Sequence, residues 1–493
     1  MKQFNYLAMG LLATAALTLN SCSNSDDMSA NSPQPSQQEA QFYMTVNIQE
    51  GQRQGTRSEL RNESTATMEE SKVTSGTFFL YDKDGEVAYK KHISESEWQD
   101  AQVPAQGVTG STTLKIPVRN VKQGDTYKIY FLANVDDATP LTSVLTATAT
   151  TAQPFMGTYA EANHFAMFNQ NDNSQHADAY EIEFIEANKN AATPATIANG
   201  KAIKIERLAA RIDAPNATSA TTISEPTEEQ TAHLTAEQIA AMRNAKQAIK
   251  SISFDSYALS NLAQKSYILQ NWGADWNVLN IPGTMTYFQT YSNFGTTQKN
   301  EGNGFFGNKD QNYVFENTAI TSGNDATAMY FKYKVILNDE YTTAPDFTDG
   351  TFYRYNGKIY SCLNTIINDG THGVNPFGKE VAKVLIEDLK KDAEGNLGAS
   401  EDELAAFRDK YQIEVFEQGF AYYRTTIQDQ SYIRNSWNSI LRNSIYQLSV
   451  NNIYDLGTDV PNGKTDELKP VYYLNVSVDV NPWILNEMDI DLQ

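Results

Sequence analysis

The stretch QFYMTVNIQ, residues 41–49, alternates without a fault. Phe42, Met44, Val46 and Ile48 fall on one side; Tyr43, Thr45, Asn47 and Gln49 fall on the other. Side chains of an extended chain point alternately to opposite faces, so this period of two predicts a half-buried strand. The segment behind the strand matters as much. Residues 50–71 are polar and contain Arg53, Arg57 and Arg61, which reads as an exposed loop open to proteases. Removing the strand ahead of such a loop would leave a row of unpaired backbone groups and four side-chain pockets, a template for another strand.

The β pattern continues downstream. Runs at 77–81 and 86–90 flank Asp84-Gly85, a strong hairpin turn. Asp82-x-Asp84-Gly85 also suggests the start of a calcium loop, but the remaining ligands are missing and the hairpin accounts for it. YKIYFLANV (127–135) is apolar on both faces, like a central strand, and AIKIERLAARID (202–213) reads as a strand that ends a domain. Residues 214–234 look like a linker or long loop. Thr235 and Gln238 then form a capping box for a helix to about residue 250. Strand-like runs resume at 251–259, 265–270, 312–316, 328–337, 351–361, 420–427, 444–454 and 471–480. The segment 378–410 reads as helical, with a second capping box at Ser400 and Glu403. Many short strands with polar connections and a few inserted helices predict an all-β protein built of β-sandwiches. No internal repeat stands out.

The C-terminus repeats the pattern of residues 41–49. Leu474, Val476, Val478 and Val480 face one way and Asn475, Ser477, Asp479 and Asn481 the other. Pro482 cannot donate to a ladder and breaks the segment; Ile484, Met488, Ile490 and Leu492 then lie on one face of a second run. The two runs can pair as a terminal hairpin, or extend together as a strand offered to a neighbour.

Composition excludes several functions. The 493 residues carry 60 acidic and 38 basic side chains, a formal charge of −22, which argues against nucleic acid and against electrostatic docking on anionic lipid. With 27 Tyr and 22 Phe the chain has enough aromatic bulk for sizeable cores. There is no nucleophile elbow, zinc-protease, phosphate-loop or dinucleotide signature. His92, His164, His176, His233 and His372 are scattered, with no metal-ligand spacing. Trp272 and Trp276 are read as core rather than as a sugar platform, and 169–178 as a solvated loop rather than a cation site. No catalytic residue, metal or cofactor is expected.

The N-terminus carries an address. Lys2 and the apolar run 6–19 form a secretory signal too short to span a bilayer comfortably. It ends in Leu19-Asn20-Ser21-Cys22, which resembles a bacterial lipobox, where the Cys thiol is diacylated and the chain is cut just before it. Asn20 departs from the small or branched residue usual there. Ser25, Asp26 and Asp27 resemble the signal that sends Bacteroidetes lipoproteins to the outer face of the outer membrane. Residues 23–40 form a flexible tether. With Cys22 lipidated, Cys362 stands alone and is read as a small buried hydrophobe.

Taken in order, the lipobox, YKIYFLANV, KIERLAARID (204–213), YVFENT (313–318), TFYRYNGKIYS (351–361), YYRTTIQD (422–429), RNSIYQLSVNNIYDLG (442–457) and VSVDVNPWILNEMDIDL (476–492) resemble the fimbrillins of Bacteroidetes type V pili, nearest to the minor-fimbrium type of shaft subunit. The parts at 291–311 and 378–410 have no counterpart in that pattern. The resemblance implies two tandem transthyretin-like β-sandwiches, placed at 58–215 and 216–470, after a signal peptide (1–21) and a propeptide (22–57) and before a donor segment (471–493). It also implies maturation. The lipoprotein, carrying palmitate-type acylation at Cys22, reaches the outer membrane. An arginine-specific protease cuts between Arg57 and Ser58, with Arg53 and Arg61 as further candidates. The strand of Phe42, Met44, Val46 and Ile48 leaves, and a C-terminal strand of another subunit takes its place. The implied partners are further copies of the chain, accessory tip and anchor pilins, the protease and an unidentified surface ligand. Two other readings are an accessory tip or anchor pilin and a surface glycan-binding lipoprotein.

Overall fold

The computed structural model describes residues 42–50, 67–103, 111–152, 155–171, 180–273, 279–283, 285–289, 311–319, 325–344, 347–367, 387–391, 397–429, 438–461 and 474–482. Over these residues the protein is all-β with small helical insertions.

The largest sheet has ten strands. Its main path runs Val87–Ile93, Gly76–Tyr81, Thr126–Ala133, Met167–Asn169, Ile203–Arg207, Phe42–Glu50, Ser111–Val118 and Gln102–Val103. Glu181–Glu183 pairs beside Thr126–Ala133, and Ala195–Thr196 beside the first strand. The expected hairpin closes at Gly85, whose φ of +82° suits a residue without a Cβ. Gly76 is required for a different reason: a Cβ there would lie 2.4 Å from the Phe131 ring. Around this sheet Phe78, Phe79, Ile116, Ile129, Phe131, Phe168 and Ile205 form one apolar core.

Two four-stranded sheets complete the larger framework. One runs Gln311–Phe315, Ala209–Asp213, Ser444–Ile453 and Leu474–Pro482; the other runs Tyr287–Gln289, Ile249–Ala263, Ala328–Leu337 and Phe420–Thr426. Ile212, Leu259, Phe331, Val335, Tyr446 and Leu448 pack between them as a second core. A third, smaller core gathers Tyr353, Leu363, Leu404, Phe407 and Val415 around the helix Glu401–Tyr411. That helix opens with the expected reciprocal bonds of Ser400 and Glu403, as the helix Ala236–Ala248 does with Thr235 and Gln238.

The structure corrects four readings. The run 202–213 is not one strand: Ile203–Arg207 and Ala209–Asp213 belong to different sheets, and the chain crosses between them at buried Leu208. The run 351–361 is a hairpin of Phe352–Tyr355 and Lys358–Tyr360, turned at Asn356 and Gly357, both of positive φ. Residues 214–234 are no free linker, because Ala217, Ala220 and Ile223 are buried and the segment bridges to Ser449 and Ile453. The polar stretch 50–71 is not an exposed loop at its end: Thr67 caps the short helix Met68–Ser71, whose Glu70 is fully buried, while residues 51–66 lie outside the described residues. Cys362 is buried, its Sγ 3.5 Å from Thr365 Oγ1. Among the described residues no helix is long and apolar enough to cross a membrane.

Candidate assembly site

The first strand is interior, not an edge. Along one side it runs antiparallel to Ser111–Val118, with Phe42 opposite Val118, Met44 opposite Ile116, Val46 opposite Leu114 and Ile48 opposite Thr112. Along the other it runs parallel to its neighbours, with Met44 beside Ala195 and Ile48 beside Ile203. Phe42, Met44 and Val46 have no exposed surface and Ile48 keeps 4%. The Phe42 ring sits 5.5 Å from that of Phe184, which is 5.9 Å from Tyr127, and Lys189 Nζ lies 5.7 Å from it on another side. Take this strand away and what remains is a slot with two hydrogen-bonding walls and four apolar seats, the first aromatic-sized.

The tail strand Leu474–Pro482 occupies a weaker position. It is the outer strand of its sheet and pairs antiparallel with Ser444–Ile453: Val480 opposite Tyr446, Val478 opposite Leu448, Val476 opposite Val450, Leu474 opposite Ile453. The strand runs two residues past the expected end at 480 and stops at Pro482, opposite Ser444, a position an outer strand tolerates because one side needs no donor. Of the expected site residues, the structure thus places Phe42, Met44, Val46 and Ile48 together in one slot, and Leu474, Val476, Val478 and Val480 in a different sheet. Cys22, Arg53, Arg57, Ser58, Arg61, Ile484, Met488, Ile490 and Leu492 lie outside the described residues, as does Trp276. Trp272 is half-buried and donates from Nε1 to the Asn171 carbonyl at 2.6 Å.

Sequence reasoning missed a buried charge knot at the short helix Met68–Ser71. Arg207, with no exposed surface, donates to the Glu70 carbonyl at 2.7 Å, to Ser71 Oγ at 2.8 Å and to Asn443 Oδ1 at 2.9 Å. Arg211 reaches the Glu70 carboxylate at 3.0 Å and Asp213 at 2.7 Å, and the Tyr313 hydroxyl donates to Glu70 at 2.6 Å. Burial by itself would raise the Glu70 carboxyl; the Arg211 guanidinium, the Tyr313 hydroxyl and the Thr67 amide outweigh it and hold it below the usual carboxylate range. The signal was available: two arginines inside an apolar strand pattern need buried acidic partners. A second knot pairs fully buried Arg442 with Glu316 at 2.6 Å. Among the described residues no group of three His, Cys, Asp or Glu is placed to hold a metal ion.

Two family models match the chain. That of the major fimbrial subunit protein (FimA) covers residues 42–207, and that of the major fimbrial subunit protein type IV, fimbrillin, C-terminal, covers 414–489. No curated protein matches. Among solved structures, a candidate cell adhesion protein from Parabacteroides distasonis is 13% identical, with 91% of this chain and 98% of that one covered and a TM-score of 0.43. A fimbrilin from Porphyromonas gingivalis is 16% identical, with 90% and 99% covered and a TM-score of 0.37.

Proposed function

We propose that this chain, which belongs to the fimbrillin family of fimbrial subunits, is a shaft pilin that is exported as a lipoprotein, matured by proteolysis and polymerised by strand replacement. Its family places it in a cell-surface fimbrium, in a structural rather than a catalytic role. The lipid is carried on Cys22, so the precursor sits on the outer membrane. Cleavage between Arg57 and Ser58 frees the segment 22–57, and with it the first strand. The tail 471–492 of another copy enters the vacated slot, and the resulting filament serves adhesion. On this reading the two large cores mark two tandem transthyretin-like sandwiches.

One observation supports this reading above the others. The first strand is bonded along both edges and buries all four of its apolar side chains, yet the chain leads out of it into the segment bearing Arg53, Arg57 and Arg61. Few structural reasons exist for placing protease-sensitive sequence next to an interior strand. Its replacement from outside accounts for the arrangement. The test is to compare cells with and without the gene by electron microscopy and to sequence the N-terminus of purified filaments. Filaments should vanish with the gene, and the first residue should be Ser58. A start at Cys22 would refute maturation.

A further inference from the structure

Set side by side, the first strand and the tail match residue for residue in the same direction. FYMTVNIQ (42–49) and YYLNVSVD (472–479) agree in type at every step: aromatic, Tyr, long apolar, small polar, Val, small polar, β-branched, polar or acidic. Tyr43/Tyr473 and Val46/Val476 are identical. Alternation alone demands only that apolar residues recur every second position. It does not demand that size run in the same order from one end to the other.

From this we infer that the tail of a second copy is a same-direction mimic of the first strand and seats in the slot with Tyr472 in place of Phe42, Leu474 of Met44, Val476 of Val46 and Val478 of Ile48. The inference rests on the strand-replacement reading above and adds polarity and register to it. The seats decide the polarity. The Phe42 seat is aromatic-sized, set against Phe184 with Tyr127 behind it. Entering in the direction of the first strand, the tail offers it Tyr472. Entering in reverse, the same inward-facing set offers Val480 or Pro482, and a small residue in an aromatic seat leaves a cavity, which is costly. Trp483 is no remedy, because it is one residue out of phase with that set. The backbone agrees: a tail laid in the first direction runs antiparallel to Ser111–Val118 and parallel to Ile203–Arg207, as the removed strand did. At home the tail strand is bonded along one side, by Ser444–Ile453; the slot offers two walls.

The proposed register makes specific neighbours. Thr45 lies opposite Lys115 and Asn47 opposite Thr113, so the incoming Asn475 should face Lys115 and Ser477 should face Thr113 of the receiving subunit. In its own fold Asn475 faces Asn452 instead, so a link to position 115 reports only the exchanged state. Directly opposed residues on antiparallel strands are within disulfide reach. The full-length gene is expressed in cells lacking the native copy, carrying Asn475→Cys with Lys115→Cys, or Ser477→Cys with Thr113→Cys. A control pair, Asn475→Cys with Thr113→Cys, fits the reversed direction. Filaments are boiled in SDS without reductant. Ladders that collapse on reduction are expected from the first two pairs, and at least tenfold less from the control. Cross-linking by the control instead overturns the proposed seating, since it fits the reversed direction or a shift of two residues in the same direction. Filaments visible by microscopy that cross-link with none of the pairs overturn the register while leaving strand replacement standing. Failure of the unsubstituted chain to form filaments at all overturns the function itself and this inference with it.

Discussion

Arg207 and Arg211 stand four residues apart on either side of the crossing at Leu208, and both are buried with Glu70. A buried charge is tolerated only where partners satisfy it, and removing one partner leaves the other uncompensated, typically a loss of about 3–5 kcal/mol. Glu70→Gln keeps the shape of the side chain and removes its charge. At pH 7 the variant should unfold at a distinctly lower urea concentration than the native chain. The effect of acid is set by the direction of the shift. The folded Glu70 carboxyl titrates below its ordinary range, so its contribution is fully present above the unfolded pKa of about 4.3 and is lost as pH falls through the lower folded value. The native chain should therefore lose stability on acidification from about pH 5 downward, and the gap to Glu70→Gln should narrow. A gap that is the same at pH 7 and pH 4 would show that the charge of Glu70 plays no part. The knot also has a place in maturation as proposed. It pins Glu70 and Ser71, just beyond the arginine-bearing segment, so the body of the subunit keeps its shape when the chain ahead is cut.

Alternation made individual strands legible in the sequence, and it is silent about their partners. Phe42–Glu50 was readable almost to its ends, because every second side chain is buried on one side of it. The run 202–213 misled for the same reason. Its apolar pattern continues through Leu208 while the hydrogen-bonding partners change from Met167–Asn169 to Gln311–Phe315. Pairing between segments far apart in the chain leaves no local trace, so neither the interior position of the first strand nor the home of the tail on Ser444–Ile453 was readable. Arg207 and Arg211 in an apolar pattern call for buried acids, but which acids was hidden likewise, since Glu70 meets Arg211 and Tyr313 through the fold alone. One substitution tests the first strand as an element. Met44 has no exposed surface, and truncating a buried Met to Ala costs about 2–5 kcal/mol through lost burial and the cavity left behind. Met44→Ala should therefore lower the melting temperature of the uncleaved precursor by several degrees. Filaments grown from the same variant should melt as the native ones do, because the proposed maturation removes the strand that carries residue 44. An equal loss in both forms would mean that the strand stays.

At the scale of the molecule the governing quantity is the formal charge of −22. Every subunit that approaches a growing end meets a body of the same sign, and the repulsion acts over the Debye length, about 30 Å at 0.01 M salt and about 8 Å at 0.15 M. The joint itself is of another nature. In the proposed joint the seats are the apolar ones of Phe42, Met44, Val46 and Ile48, and each buried aliphatic side chain contributes about 1.5–3 kcal/mol whatever the salt. On the proposed strand replacement the contact is head to tail, a strand of one copy in the slot of the next, which would propagate an open filament instead of closing a ring of two. Approach and retention should then respond differently to ionic strength. Raising salt from about 0.01 to about 0.15 M should speed the assembly of cleaved subunits, monitored by light scattering, several-fold or more. Release of subunits from finished filaments after dilution should hardly change. Assembly that slows as salt rises would mean that opposite charges steer the encounter, and the joint would then have to be sought among ion pairs at the surface. Charge substitutions inside the tail separate the two steps further. Val476→Asp with Val478→Asp puts carboxylates into apolar seats, which is strongly unfavourable, so no added salt should restore filaments to that variant.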